Sequence, residues 1–198
     1  MKFYDVQQNT ESWMNLRKKK FTASTFKDLF SKPTTVAYEK AIYKPVFERL
    51  TGESPESFQN EWMERGHELE DSARMEYELK TFNKVSNGGF VEVNEWVGCS
   101  PDGFVGEDGL IEIKCPAFNT HMNYLRKGKL PSQYKWQVHG QIWATERKWC
   151  DFVSYYPGLP IFILRVERDE ALIKELEEII DSSIKEAKKV LTEIKKYN

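Results

Sequence analysis

The stretch Gly-Cys-Ser-Pro-Asp-Gly-Phe-Val-Gly-Glu-Asp-Gly-Leu-Ile-Glu-Ile-Lys-Cys-Pro, residues 98–116, narrows the choice of folds more than any other part of the chain. It reads as a strand end, a glycine-rich hairpin and a second strand. Ser100-Pro101-Asp102-Gly103 is turn-prone, and Asp108-Gly109 is a strong short-hairpin signal. From Leu110 to Cys115 the residues alternate, so Ile111 and Ile113 face one way while Glu112 and Lys114 face the other. The hairpin can fold Asp102 back toward that acid and amine. Two carboxylates and one lysine then converge, which suits a hard divalent cation with oxygen ligands. The lysine can orient water or stabilise developing negative charge. Taken alone, Glu-Ile-Lys reads as an ordinary exposed strand face carrying an ion pair. The upstream Ser-Pro-Asp-Gly, the hairpin and the closing Pro116 favour a site.

The chain is long enough for one domain with a sizeable core, and residues 1–198 are expected to form a single domain. An apolar content of 40% with 14% aromatic residues argues for a folded protein, despite 30% charged residues. No apolar run approaches the roughly 18 residues of a membrane span, and Met-Lys-Phe-Tyr-Asp is no signal-peptide core, so a cytoplasmic protein is expected. Cys99, Cys115 and Cys150 are too few and scattered for a disulfide framework or zinc site, and read as small core residues. The net charge of −2 does not advertise nucleic-acid binding, although metal-binding acids can offset a local basic groove.

Residues 1–12 read as an extended lead-in. Arg17-Lys18-Lys19-Lys20 then precedes Phe21-Thr22-Ala23-Ser24, where Thr22 or Ser24 could cap a helix over about 25–30. This is either a solvated basic turn or a phosphate site at a helix N-terminus. Residues 34–50 read as a helix with a kink or break near Pro45, and 51–58 as a loop. A helix over about 59–81 aligns Met63, Gly66, Glu70, Ala73 and Tyr77 on one stripe. There Glu70 either turns to a cleft or pairs with Arg74 at i+4. Residues 90–99 read as one strand. Residues 117–123 give no clear signal, and Arg126, Lys127 and Lys129 mark a second basic loop. A helix over about 132–146 repeats Gln133, Gln137 and Gln141 on one face, two strands follow at 150–156 and 161–167, and a long amphipathic helix runs over 170–196.

Four segments resemble one family: Trp13-x-x-Leu16-Arg17 with Thr22-Ala23-Ser24, residues 65–74 around Glu70, residues 98–116, and Gln137-Val138-x-Gly140-Gln141-x-Trp143. The chain is similar to the lambda-exonuclease and YqaJ-type viral recombinase branch of the PD-(D/E)xK nuclease superfamily. That resemblance implies an α/β fold with a restriction-endonuclease-like core, a central mixed β-sheet flanked by helices and a DNA cleft above the site. It implies Mg²⁺, with Mn²⁺ able to substitute, held by Asp102, Glu112, the carbonyl of Ile113 and Glu70. Lys114 would position or activate water and Gln137 would help orient the nucleophile, with Gln141 a further candidate. Arg17, Ser24 and Ser100 would bind the 5′-phosphate of a DNA end. One departure is visible: the family carries an arginine shortly after Lys-Cys-Pro, whereas Ala117-Phe118-Asn119-Thr120-His121 stands here, leaving His121 or Arg126 as stand-ins.

The implied activity is Mg²⁺-dependent 5′-to-3′ digestion of one strand of linear duplex DNA, leaving 3′ single-stranded overhangs for viral or prophage recombination by strand annealing. The implied partners are double-stranded DNA ends, a single-strand annealing protein and, by family precedent, two further copies in a trimeric ring. A site-specific or structure-specific endonuclease and a non-catalytic DNA-binding scaffold remain as alternatives. Acids crowded at such a site are expected to cost stability, so removing one should leave the fold at least as stable.

Overall fold

The computed structural model describes residues 1–55 and 61–197, and for 61–68 the backbone course alone. In chain order the elements are β1 (Lys2–Tyr4), α1 (Glu11–Arg17), β2 (Phe21–Thr22), α2 (Phe26–Leu29), α3 (Val36–Thr51), α4 (Glu61–Thr81), β3 (Val85–Ser86), β4 (Phe90–Asn94), β5 (Val97–Cys99), β6 (Gly103–Val105), β7 (Gly109–Lys114), α5 (Phe118–Lys127), α6 (Lys135–Thr145), β8 (Trp149–Ser154), β9 (Phe162–Glu167) and α7 (Glu170–Ile194). Short 3₁₀ turns precede α2 and α6 and follow α7. The α/β class and the mixed pairing agree with expectation. The strands divide between two sheets, β1-β4-β5-β2 and β3-β6-β7-β8-β9.

In the larger sheet β7 is the central strand. It pairs antiparallel with β6 and parallel with β8, with Glu112 opposite Phe152 and Lys114 opposite Ser154. A strand flanked on both sides needs short, apolar or closely fitted residues, and Gly109 shows why: a Cβ there would stand 2.2 Å from the Trp149 ring. Ile111 and Ile113 enter a core with Ala73, Tyr77, Val105, Val153 and Ile161, which seats α4 on that face. The opposite face carries α6. Its Gly140 lets the helix approach the turn before α2, where a Cβ would meet Phe26 Cδ2 at 2.5 Å.

In the smaller sheet β2 runs parallel to β5, with Thr22 opposite Gly98. This pairing brings the basic N-terminal segment beside the strand that leads into Ser100. The chain then passes from β5 in one sheet to β6 in the other through Ser100, Pro101 and Asp102 alone. The strand expected over 90–99 is a tight hairpin, β4 and β5, with Asn94 Oδ1 accepting from Trp96 N at 2.8 Å to close the turn.

Three helical expectations need correction. The helix expected at 25–30 is a 3₁₀ turn plus the four-residue α2, and neither Thr22 nor Ser24 makes a side-chain cap bond there. α3 continues through Pro45, because burial of Ile42, Pro45 and Val46 outweighs the lost backbone bond. The segment after Pro116, which gives no clear sequence signal, is α5; Ala117 before it has no capping side chain, and His121 and Tyr124 are its buried residues. α7 is capped by Asp169, whose carboxylate accepts from Ala171 N and Leu172 N. It buries Ile173, Leu176, Ile180, Ser183 and Ala187 at alternating steps of three and four. Among the described residues, no helix is long and apolar enough to cross a membrane.

Candidate active site

Glu112 lies in the middle of β7 with 1% of its side chain exposed. A carboxylate this buried is costly unless its charge and lone pairs are matched. Here Oε1 accepts from Lys114 Nζ and Gln137 Nε2, both at 2.5 Å, and Oε2 accepts from Gln141 Nε2 at 2.6 Å. The strand's two-residue period supplies the lysine, and the four-residue period of α6 supplies both amides. Crowding at this acid is therefore compensated, which corrects the expectation that it simply costs stability.

Asp102 reaches the same place from the inter-sheet crossing. Its Oδ2 accepts from Ile113 N at 2.6 Å, which lays the carboxylate over β7 next to Glu112. Burial and then the Glu112 charge push the Asp102 carboxyl well above the usual carboxylate range; Lys114 opposes this and Glu70 adds to it. Burial disfavours the charged Lys114 ammonium, but Glu112 and Asp102 together outweigh it and raise its pKa. An ammonium placed beside these two carboxylates can orient water or stabilise negative charge. Its Nζ also lies 5.4 Å from the Tyr134 ring centroid.

Glu70 takes the i+4 pairing: its carboxylate is partly buried and 3.7 Å from Arg74. Its negative charge adds to the upward push on the Asp102 carboxyl. The side chains of Met63, Arg65, Gly66, His67 and Glu68, which belong to the expected stripe and motif, lie outside the described residues.

The phosphate candidates gather on the other side of Ser100. Its hydroxyl accepts from Trp13 Nε1 at 2.9 Å and from Arg17 at 3.1 Å. The second Arg17 amino group reaches Thr22 and Ser24 hydroxyls, each at 3.5 Å, and the guanidinium lies 4.3 Å from the Trp13 ring. Burial lowers the Arg17 pKa, against the acid charges that raise it, notably Glu112, Glu48 and Asp102. Arg17, Ser24 and Ser100 are thus brought together. Trp13 and Thr22 belong with them; Trp13 was visible only as a motif anchor.

The carbonyls of the crossing peptide are held by side chains from α6, from α4 and from the turn before α1. Gln141 approaches Ser100 O at 3.5 Å, Gln8 donates to Pro101 O at 3.1 Å and Arg74 donates to Asp102 O at 2.8 Å.

Other candidates fall elsewhere. Gln133 is exposed and turned toward Tyr124 Oη, away from Glu112. His121 cannot replace the missing arginine, because it is fully buried between Ser154 Oγ at 2.8 Å and Pro160 O at 3.0 Å. Lys127 and Lys129 border an open cleft of about 620 Å³ with Thr120, Asn123 and Gln133. Cys99 and Cys150 are buried as expected, and Cys115 is partly exposed.

The donor set at Asp102 and Glu112 is hard oxygen, and the buried Gln141 Oε1 beside it has no hydrogen-bond partner. Among the described residues no three His, Cys, Asp or Glu side chains converge as a ready-made ligand cluster. A pair of carboxylates completed by backbone and water oxygens suits Mg²⁺, which keeps several of its waters.

Comparison with known proteins places the chain in a family. Residues 12–148 match the YqaJ-like viral recombinase domain. An alkaline exonuclease from Laribacter hongkongensis is 36% identical, with 95% of this chain and 97% of that chain covered and a TM-score of 0.88. The same enzyme in complex with dAMP superposes with a TM-score of 0.89 at the same identity and coverage. A phage-related exonuclease from Haemophilus somnus, 18% identical over 91% of this chain and 99% of that chain with a TM-score of 0.70, shares the fold. No curated protein matches significantly in sequence. The chain belongs to the YqaJ-like viral recombinase family.

Proposed function

We propose that this protein is a Mg²⁺-dependent exonuclease that digests one strand of linear duplex DNA from its 5′ end, leaving a 3′ overhang for recombination by strand annealing. The observation that carries this reading is the junction at residues 100–102: Ser100 belongs to the Arg17 pocket, and Asp102 to the Glu112–Lys114 cluster. A terminal phosphate held at Ser100 and Arg17 sets the next phosphodiester of that strand beside Asp102. The 36%-identical exonuclease, with its dAMP complex, supports a nucleotide-sized site.

Asp102, Glu112 and the Ile113 carbonyl would hold the cation, with Glu70 acting directly or through water. When bound, the cation would neutralise the scissile phosphate and make an attacking water more acidic. Lys114 and Gln137 leave Glu112 Oε1 to orient that water, the ammonium also stabilising charge on the phosphate oxygens. Water oxygen bonds to phosphorus as the bond to the 3′-oxygen of the end nucleotide breaks, and a proton passes to that oxygen. The products are a 5′-mononucleotide and a strand with a new 5′-phosphate, so each turnover regenerates the group that Arg17 reads.

The test is digestion of linear duplex with 5′-phosphate or 5′-hydroxyl ends, in Mg²⁺ or EDTA, alongside covalently closed circles. The expected result is Mg²⁺-dependent loss of the 5′-labelled strand from linear DNA only. Cutting of closed circles would make the protein an endonuclease, and no cutting in any metal would leave a DNA-binding scaffold.

A further inference from the structure

Gln141 has a geometry that the chemistry above leaves unused. It projects from the buried face of α6, is 1% exposed, and its two N–H groups face two different parts of the site. One is given to Glu112 Oε2 at 2.6 Å, and Ser100 O stands 3.5 Å from the same nitrogen. A primary amide has two donors on one nitrogen, so it can bridge two acceptors without moving. Its orientation is fixed, because the reverse would set an amide oxygen against a carboxylate. The helix around it is held tightly: Thr145 Oγ1 donates to Gln141 O at 2.7 Å, and Gly140 packs on Phe26. Gln137, by contrast, is partly exposed and shares Oε1 with Lys114.

We infer that Gln141 is a positioning residue that fixes Glu112 Oε2 and, through the Ser100 carbonyl, locks the cation-binding carboxylate to the peptide bearing the terminal-phosphate pocket. The inference rests on the exonuclease reading and deepens it. Lys114 and Gln137, both on the accessible side, can release Oε1 to a cation while Gln141 keeps the other oxygen in place. A second observation points the same way. Among the described residues Gln141 Oε1 is buried with no hydrogen-bond partner, although nine in ten or more buried polar groups have one. An unmatched acceptor beside a carboxylate pair is suited to a donor that arrives with the ligand, such as water in the shell of a divalent cation.

The test uses the full chain with Gln141→Met, which keeps length and removes donors and acceptor. Ca²⁺ binding is measured calorimetrically, and initial rates are compared on 5′-phosphate and 5′-hydroxyl duplexes in Mg²⁺. Loss of a residue that orients a metal ligand typically weakens metal affinity about 10–100-fold, so a Ca²⁺ Kd raised at least about tenfold is expected, with the phosphate-to-hydroxyl rate ratio falling toward one. A lower melting temperature with Ca²⁺ affinity and rate ratio both as in wild type would make Gln141 a packing residue and overturn the inference. If Gln141→Met does not fold, Gln141→Glu retains size and acceptor while losing both donors. Its rate ratio should fall in the same way, and an unchanged ratio would refute the link. Wild-type protein that binds no Ca²⁺ would instead overturn the nuclease reading, and this inference with it.

Discussion

The arrangement around Glu112 makes an unequal prediction for two acids that look alike in sequence. In EDTA, Glu112→Ala removes an acceptor that satisfies Lys114, Gln137 and Gln141. Breaking a buried ion pair by deleting one partner costs about 3–5 kcal/mol. Part of this is recovered, since Lys114 keeps 27% exposure and can take up water, and the neighbouring Asp102 is relieved of repulsion. The buried Gln141 amide and the space left by the side chain remain uncompensated. A net loss of about 2–4 kcal/mol follows, which for a chain of this size lowers Tm by roughly 5–15 °C at about 2–4 °C per kcal/mol. Asp102→Asn behaves differently, because the amide oxygen can still accept from Ile113 N and the charge removed is one that burial and Glu112 already disfavour. The native pKa of Asp102 is raised, so its contribution to stability is fully present below the ordinary carboxylate pKa and is lost as pH rises through the raised native value. Asp102→Asn should therefore match wild type in acid and exceed it increasingly toward neutral and alkaline pH. Thermal unfolding followed by circular dichroism in EDTA measures both. If Glu112→Ala melted at or above wild type, or if Asp102→Asn lost as much as Glu112→Ala, the burial-and-donor argument would be wrong.

Lys114→Ala should lower the rate at saturating DNA by roughly two to three powers of ten while DNA affinity in Ca²⁺ changes little; a change in affinity alone would make the residue a phosphate clamp. Arg17→Ala should remove most of the preference for 5′-phosphate over 5′-hydroxyl duplex, read as initial rates, and a wild-type enzyme without that preference would remove the pocket from the account. Away from the site, Tyr77→Phe deletes the 2.8 Å bond to the buried Asp151, which keeps its two bonds to Arg165. A loss of about 1–2 kcal/mol is expected, seen as a Tm lower by roughly 2–8 °C, with nuclease rates unchanged at low temperature.

The strand β7 was legible because its information is local. Alternation over residues 110–115 fixes which side chains share a face, and β7 keeps that register against both neighbours. What sequence hid depends on contacts between distant segments. The β4–β5 turn carries Glu95 and Trp96 in place of glycine or proline, and it is closed by the side chain of Asn94. α5 starts after Ala117, which has no side chain to cap a helix, so its start carries no signal. Gln133, Gln137 and Gln141 were indistinguishable by spacing, yet Gln133 lies in the 3₁₀ turn before α6 and reaches Tyr124, while the register of α6 against β7 sends the other two to Glu112. Glu48 gave no signal at all, although it is completely buried.

That glutamate shows how end recognition can be built before any DNA arrives. The run Lys18-Lys19-Lys20, which on its own reads as a solvated turn, is clamped by two adjacent residues of α3. Glu48 accepts from Lys19 N at 2.6 Å and is neutralised by Lys44 at 2.6 Å, with Ser54 Oγ at 3.0 Å. Arg49 donates to Lys19 O at 3.0 Å and to Glu95 O at 2.7 Å while lying 3.6 Å from the Trp96 ring. Lys19 has φ of 68°, a left-handed conformation that costs a non-glycine residue of order 1–3 kcal/mol and persists only where its surroundings hold it. The clamp ties the end of α1, and so Arg17, to the β4–β5 hairpin, and β5 continues directly into Ser100. Arg17 and Ser100 thus reach the pocket from two segments fastened to each other on one side, while Gln8, Arg74 and Gln141 fasten the crossing peptide on the other. A pocket fixed from both sides gives up little freedom when a phosphate enters, so binding energy is not spent on ordering the protein. In the proposed mechanism the same rigidity would set the step between the phosphate held and the bond cut, because Ser100 and Asp102 lie two residues apart in one peptide fastened on both sides. On that reading, recognising the end and measuring off one nucleotide would both fall to a single braced tripeptide.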